Sequence, residues 1–395
     1  MRPIGRMGYP SPMVRLGIVG IGNMGSAHVS WIPKIKNVEL RAICDIDASK
    51  MERHPEIPHY ADSQSMIRSG QVDAVLVATP HYDHTTIGIN ALENGLHLLV
   101  EKPISVHKAD ARRLIDAYRT HGEPKGVVFG AMFNQRTDPH YQAIRRVVQS
   151  GELGAIQRTN WIITDWFRTE TYYASGGWRA TWAGEGGGVL LNQCPHNLDL
   201  FQWICGMPSR VRAFCGFGRY HNIEVEDEVT AYLEYPNGAT GVFVTTTGEA
   251  PGTNRLEIVG DRGKIVYENG QVLFTRTESS VTEIKNTSPE SFASVPTWKC
   301  EIPVNGYGGQ HQEILQNFVD AIETGKPLLA PAIEGIHSVE LANAMILSAL
   351  TGETIDLPLD EAGYEAKLKS LIANSKFQKK TVDVAAVDMD ASFGR

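Results

Sequence analysis

From Val14 onward the apolar positions fall into short continuous runs, at 16–20, 40–44, 74–78, 96–100 and 127–131. Between these runs, 26–31, 63–69, 85–94 and 108–121 read as helices. Strands apolar on both sides and alternating with helices predict a parallel sheet covered on both faces. After Phe133 the pattern changes. A helical stretch at 140–150 leads into a long strand at 156–167, and further strands are expected at 211–218, 228–235, 240–247, 255–260, 264–267 and 271–277. Pro236-Asn237-Gly238 is a hairpin turn signal. Strands joined by tight turns predict a large, mainly antiparallel sheet with helices on one face. Residues 278–297 are polar and irregular and read as an excursion loop, whereas 310–324, 333–350 and 360–376 read as helices.

The first apolar run ends in Gly20-Ile21-Gly22-Asn23-Met24-Gly25, a Gly-x-Gly-x-x-Gly turn that opens a helix. Gly20 allows the tight turn, Gly22 lets a pyrophosphate approach the backbone, and Gly25 lets the helix pack closely on the strand. The helix N-terminus offers unpaired N–H groups to the phosphates. Asp45 closes the second apolar run about twenty residues on, where a carboxylate meets the ribose hydroxyls of NAD and repels a 2′-phosphate. Lys50 and Arg53 lie close enough in sequence to bear on that choice. The expected fold class is α/β: an N-terminal Rossmann domain plus a C-terminal α+β domain with a large, mainly antiparallel sheet. The expected division is an arm at 1–13, an NAD-binding domain at 14–133, and a substrate-binding and oligomerisation domain at 134–395.

Composition narrows this picture. With 395 residues the chain is too long for one compact core. Its net charge of −8 is spread without acidic or basic blocks, which argues against a nucleic-acid or membrane partner. Five cysteines without a Cys-x-x-Cys pair suit reduced thiols and a cytoplasmic enzyme. The leader 1–13 lacks the apolar core of a secretory signal and reads as an extended arm.

Ligands of a parallel sheet bind at the carboxyl ends of its strands. Two stretches sit there: Val77-Ala78-Thr79-Pro80 with His84, and Gly95 through Val100-Glu101-Lys102-Pro103. Together with Phe133-Asn134-Gln135-Arg136, Gly151-Glu152-Leu153-Gly154, Trp178-Arg179 and Gly186-Gly187-Gly188 with His196 and Asp199, they closely resemble the Gfo/Idh/MocA oxidoreductases, which include glucose–fructose oxidoreductase and inositol dehydrogenases. The resemblance spans 14 to about 345. It implies NAD as cofactor, a cis peptide before Pro103, and a homodimer or homotetramer built on the open face of the large sheet. It also implies that the glycine-rich turn around Tyr307 and His311 reaches the active site, although either residue reads equally as packing at a helix start. Expected cofactor contacts are Gly20, Gly22, Asn23, Met24 and Asp45, then Thr79, Pro80, His84, Glu101 and Lys102.

Lys102 is the main chemical candidate. An ammonium at a strand end beside a nicotinamide can hold the reacting hydroxyl and stabilise alkoxide character. Partial burial would lower its pKa and let it move a proton. His196 falls in the stretch Gly186–Asp199, whose glycines would let the chain approach the nicotinamide edge; its pKa suits it to take a hydroxyl proton. An alternative reading has His196 buried and bonded to Asp199. Where the resembling family has an aspartate four residues before this histidine, the chain has Asn192, an amide that orients but carries no charge. The expected catalytic set is therefore Lys102, His196 and Asn192. Asp165, Arg168, Tyr172, Trp178 and Arg179 join these three as expected substrate contacts, since aromatic faces suit the C–H faces of a sugar ring. His81 and His84 form His-x-x-His, but without a third ligand no metal is expected. Trp161 and Trp203 are expected to pack the fold.

These residues point to an NAD-dependent oxidoreductase acting on a ring secondary hydroxyl of a sugar, glycoside or cyclitol. Two other readings stand beside it. One is a redox-neutral glycosidase that retains NAD and acts through a transient 3-keto sugar. The other is a non-enzymatic dinucleotide-binding regulator.

Overall fold

In the computed structural model, residues 13–382 are described. The expected 1–13 arm and the end of the 134–395 segment, beyond 382, lie outside them apart from Met13.

Six strands form the first sheet: β1 (Val14–Val19), β2 (Val38–Cys44), β3 (His59–Tyr60), β4 (Ala74–Val77), β5 (His97–Val100) and β6 (Phe129–Ala131). All pair in parallel, in the order β3-β2-β1-β4-β5-β6. This is the doubly wound order, with its switch point between β1 and β4. Ile18, Ile43, Val75, Leu98 and Val100 are fully buried, as strands covered on both faces require. The helix expected at 85–94 starts earlier, at His81, directly after Pro80. The polar run His81–His84 hid its first turn from the apolar spacing.

Nine strands form the second sheet: β7 (Ile156–Ile163), β8 (Arg210–Phe217), β9 (Glu226–Glu234), β10 (Thr240–Thr246), β11 (Asn254–Gly260), β12 (Gly263–Glu268), β13 (Gln271–Thr277), β14 (Thr297–Ile302) and β15 (Ile355–Asp356). The order is β14-β13-β12-β11-β7-β10-β9-β8-β15, antiparallel everywhere except between β7 and β10. β7 is shorter than expected. Beyond Ile163 its neighbours no longer run alongside, because β10 ends at Thr246 and β11 starts only at Asn254. The stretch expected as an irregular excursion holds a helix, Val281–Thr287, and leads into β14. β14 is exposed almost throughout and so lacks the alternation of a half-buried strand.

One face of this sheet carries Trp161, Ala231, Leu233, Phe243, Leu256 and Ile265 and packs under the helices Pro195–Cys205 and Gly335–Thr351. The other face is open. Phe214 pairs with Thr230, Thr230 with Val244, and Val244 with Ile162, so these residues share that face. Phe214, Tyr232, Ile162 and Leu273 are exposed on it.

The helix Gln310–Thr324 lies far along the chain yet packs on the first core through Ile314, Leu315, Phe318 and Val319. It bridges the two halves and brings its N-terminus to the mouth of the parallel sheet. Among the described residues no helix is long and apolar enough to cross a membrane.

Candidate active site

The nucleotide end is built from the glycine turn. Gly20 has φ +91°, and a Cβ there would lie 2.7 Å from the Ala78 carbonyl carbon. At Gly25 a Cβ would stand 1.7 Å from the Gly20 carbonyl oxygen, so helix and strand meet at backbone distance. Gly22 faces open space. The helix Asn23–Trp31 that follows has neither a side-chain cap nor an acidic first turn, leaving the N–H groups around Asn23 and Met24 available to an anion. Asp45 accepts from the Ile21 N–H at 2.8 Å and the Asp47 N–H at 2.9 Å, and Lys50 Nζ lies 3.4 Å away. The carboxylate thus braces the turn, occupies Lys50, and keeps acceptor capacity for ribose hydroxyls. The Thr79 hydroxyl is buried at this mouth without a hydrogen-bond partner. His84 ties the two strand-end loops together, with Nδ1 2.8 Å from the Pro103 carbonyl and Nε2 2.9 Å from that of Thr79. Burial holds its pKa below the ordinary imidazole value, although both carbonyls favour the charged ring. An open cradle at Gly22, an uncapped helix and an orphaned hydroxyl all fit a dinucleotide.

Asp45→Ala removes the ribose acceptor, the brace on Ile21 and the partner of Lys50 together. The expected result is a KM for NAD raised about tenfold or more, with a smaller change for NADP, read from steady-state kinetics with both cofactors. Equal KM shifts for the two would refute the ribose assignment.

Glu101, Lys102 and Pro103 continue from β5, and the Lys102–Pro103 peptide is cis, as the resemblance implies. Glu101 is buried and meets His28 Nε2 at 2.7 Å. Burial raises its pKa, but the bond and field of His28, with His311 and Lys102, outweigh this and bring it down to about 2. His311, in the first turn of Gln310–Thr324, is buried and stacks on Trp31 at 4.8 Å. Tyr307 instead packs on His140 at 5.8 Å and is half exposed. His28 carried no signal beyond its place in the glycine-turn helix.

Lys102 is half-buried, and its Nζ donates to the Asn192 backbone carbonyl at 2.9 Å. Desolvation lowers its pKa most; Arg179 and Arg168 lower it further, while Glu101 and Glu185 oppose them. His196 lies in the first turn of Pro195–Cys205 with its ring edge-on to Phe133 at 6.4 Å. It is not bonded to Asp199, whose carboxylate is taken by Arg136 at 2.7 Å through both Nε and Nη2. The His196 Nδ1 is buried without a hydrogen-bond partner, and burial together with Lys102 and His311 pushes its pKa well below the usual value. His196 is therefore a neutral ring at physiological pH.

The Asn192 side chain is held at both ends. Its oxygen accepts from the Tyr172 hydroxyl at 3.1 Å and from Gln193 Nε2 at 3.0 Å, and its nitrogen donates to Glu185. A carboxylate thus stands beside Asn192 even though the aspartate of the resembling family is missing. Glu185 was not singled out by the sequence, although it directly precedes the three glycines. Arg179 donates to the Tyr172 hydroxyl at 3.1 Å and lies over the rings of Tyr172 and Trp178 at 4.8 and 4.6 Å. Arg168 covers Tyr172 at 5.1 Å. Asp165 is half-buried just past β7, and its charge acts on the Cys194 thiol. Trp161 is fully buried as expected, and Trp203 is sandwiched by Arg136 and Arg145.

The glycines before Asn192 turn out to serve internal packing. A Cβ on Gly186 would meet Val106 at 2.0 Å, and one on Gly188 would meet the Glu226 carbonyl oxygen at 1.9 Å. Glu226 accepts from the N–H groups of Gly188 and Leu190 at 2.8 and 3.1 Å, and burial pushes its carboxyl up to about 7.

The last described residues fold back on this wall. Lys379 Nζ donates to the carbonyls of Tyr173 and Arg179, and Val382 N donates to that of Ala174 at 3.1 Å. Ending the chain after Asn374 releases the loop that carries Tyr172 and Arg179. The KM for the substrate that NAD oxidises is expected to rise several-fold, because the loop is loosened rather than lost, with the KM for NAD unchanged. A parallel rise in both would show general loosening instead.

The parallel sheet, the dinucleotide cradle and the lysine at its mouth define an NAD-binding oxidoreductase. A model described as "Oxidoreductase family, NAD-binding Rossmann fold" matches residues 14–129, and one described as "GFO/IDH/MocA C-terminal domain" matches residues 141–266. The rhizopine catabolism protein MocA of Rhizobium meliloti is 31% identical over 337 residues, 84% of this chain and 93% of that protein. D-glucoside 3-dehydrogenase of Escherichia coli (strain K12) is 26% identical over 88% of this chain and 98% of its own. The crystal structure of the WlbA dehydrogenase from Bordetella pertussis, in complex with NADH and UDP-GlcNAcA, superposes with a TM-score of 0.73 at 25% identity, covering 88% of this chain and all of that one. The chain belongs to the GFO/IDH/MocA oxidoreductase family.

Proposed function

We propose that this protein oxidises a ring secondary hydroxyl of a sugar, glycoside or cyclitol, with Lys102 and His196 as its acid–base pair. The observation that carries this reading is the Lys102 ammonium, held on the Asn192 carbonyl at the strand ends, within the field of His196. The names of its relatives, a rhizopine catabolism protein and a D-glucoside 3-dehydrogenase, support the substrate class. Bound NAD supplies the hydride acceptor.

The chain's own residues do the rest. Burial lowers the pKa of Lys102, which makes its amine easier to free for taking the hydroxyl proton. His196, neutral and with an unpartnered Nδ1, offers a second acceptor to the same hydroxyl or its neighbour. Asn192, fixed by Tyr172 and Glu185, orients the ring without adding charge. Tyr172, Trp178, Arg168 and Arg179 form the wall on which the sugar lies, and Asp165 stands at its edge. Residues 14–133 hold the cofactor and 134–395 the substrate. The exposed Phe214, Tyr232, Ile162 and Leu273 fit a homodimer or homotetramer closed over the open sheet face. The five cysteines, all unpaired, suit a cytoplasmic protein.

The test is NADH absorbance on mixing the protein with NAD and a panel of inositols, hexoses and glycosides. Net reduction by one class supports the reading and identifies that class. Absence of reduction, with NAD retained through purification, would favour the redox-neutral glycosidase.

A further inference from the structure

We infer that the sugar this site accepts carries an oxyanion, a carboxylate or a phosphate, which docks between Arg168 and Arg179. The inference rests on the hydroxyl-oxidising reading and adds the charge of the substrate. The two guanidinium groups cover the Tyr172 ring at 5.1 and 4.8 Å, and the Tyr172 hydroxyl leads directly to Asn192 at 3.1 Å. Lys102 reaches the same residue through its backbone carbonyl. Lys102 therefore meets Asn192 directly, and the two arginines reach it through Tyr172.

Neither arginine is neutralised by a direct partner. Among the described residues neither Arg168 nor Arg179 makes an ion pair. The fully buried cations are paired, Arg136 with Asp199 and Glu334 and Lys108 with Glu340, whereas Arg168 and Arg179 are half-buried. Arg168 spends Nη1 on the Phe167 carbonyl at 2.9 Å, and Arg179 spends Nη1 on Tyr172. The Arg179 Nε is enclosed without a hydrogen-bond partner. Glu185 is the carboxylate bonded to Asn192, and both its oxygens are already used, by the Ala180 N–H and by the Asn192 amide. It is 1% exposed; burial raises its pKa, and the Arg179 field opposes this.

A chain of net charge −8 thus builds a locally positive wall. Low-dielectric walls concentrate such a field and draw in anions. A neutral hydroxyl satisfies a donor but leaves the charge uncompensated, whereas a carboxylate or phosphate does both through paired N–H contacts. The N–H groups of Arg168 and Arg179 not spent on Phe167 and Tyr172 are the donors such a pair would use.

The experiment compares glucose, glucuronate and glucose 6-phosphate, each also as its methyl glycoside where available. NADH formation is followed in wild type, Arg168→Gln, Arg179→Gln and Arg179→Lys. One of the two anions is expected to exceed the neutral sugar in kcat/KM by about tenfold or more, with a KM that rises with salt. Which anion prevails separates carboxylate from phosphate. The anion-to-neutral ratio is expected to fall about tenfold in Arg179→Gln and to recover in part in Arg179→Lys. A preference for the neutral sugar, or an unchanged ratio in both glutamine variants, overturns the inference. If no sugar reduces NAD, the hydroxyl-oxidising reading fails. Calorimetric titration of the NAD-loaded protein with the same three compounds then decides the charge preference alone. Tighter anion binding lost in Arg179→Gln upholds it; no binding or equal binding overturns it.

Discussion

Lys102→Met is expected to lower kcat by about 10²- to 10⁴-fold, the usual contribution of one positioned acid or base. Methionine keeps most of the stem's volume and removes the amine, so the nucleotide cradle around Gly22 and Asp45 stays intact. NAD binding, followed by fluorescence titration, should change far less than kcat. Lys102→Arg sharpens the test, because arginine restores charge and hydrogen bonding but cannot release a proton near neutral pH. If proton transfer is the role, both variants are slow; if charge alone matters, arginine recovers much of the rate. The pH profile carries a sign as well. Burial and the positive fields of Arg179 and Arg168 hold the Lys102 pKa down. Oxidation should rise with pH as the free amine accumulates, along a limb lying below that of an ordinary lysine. Removing Arg179 takes away one of these fields, so the limb should move to higher pH. A kcat within tenfold of wild type in Lys102→Met would end the assignment.

Arg136→Met should cost about 3–5 kcal/mol of stability, measured by urea unfolding at fixed protein concentration. Arg136 is 1% exposed, and Asp199, its bidentate partner, is fully buried. The same guanidinium reaches Glu334 and the Leu329 carbonyl and lies against Phe133 and Trp203. Methionine fills the space but strands the Asp199 charge in the interior. Burial already raises the Asp199 pKa, and Arg136 works against it. Without Arg136 the group is protonated over a wider range, so the deficit should shrink as pH falls and the charge disappears. The double variant Arg136→Met/Asp199→Leu should recover most of the loss, because apolar replacement of a buried pair is often neutral or better. No recovery would mean that the arginine acts through its other contacts. Because Asp199 shares a helix with His196, the single variant should also lower kcat, by moving the imidazole relative to Lys102.

The Rossmann half was the most legible part of the chain, for a local reason. A glycine turn, a carboxylate at the next strand end and apolar runs of strand length each reflect backbone sterics or continuous burial, and both act over a few residues. β14 could not be read, since an exposed edge strand has no buried face to impose a period. The expected glycine role at 186–188 was also misread, because whether a missing Cβ makes room for a ligand or for Val106 and Glu226 depends on what folds against it.

The sequence by itself determined the parallel-sheet fold and the dinucleotide cradle, and it singled out Lys102, His196 and Asn192 as candidates. Those rest on residue types at fixed short spacing, where covalent geometry limits the outcome. Only the tertiary structure decided what surrounds them: Glu101 paired with His28, Asn192 gripped by Glu185 and Tyr172, and Asp199 bound to Arg136 rather than His196. Each of these contacts spans elements separated in sequence, and pKa and orientation follow from which charges and carbonyls arrive at a buried group. That is a property of packing, which local spacing does not encode.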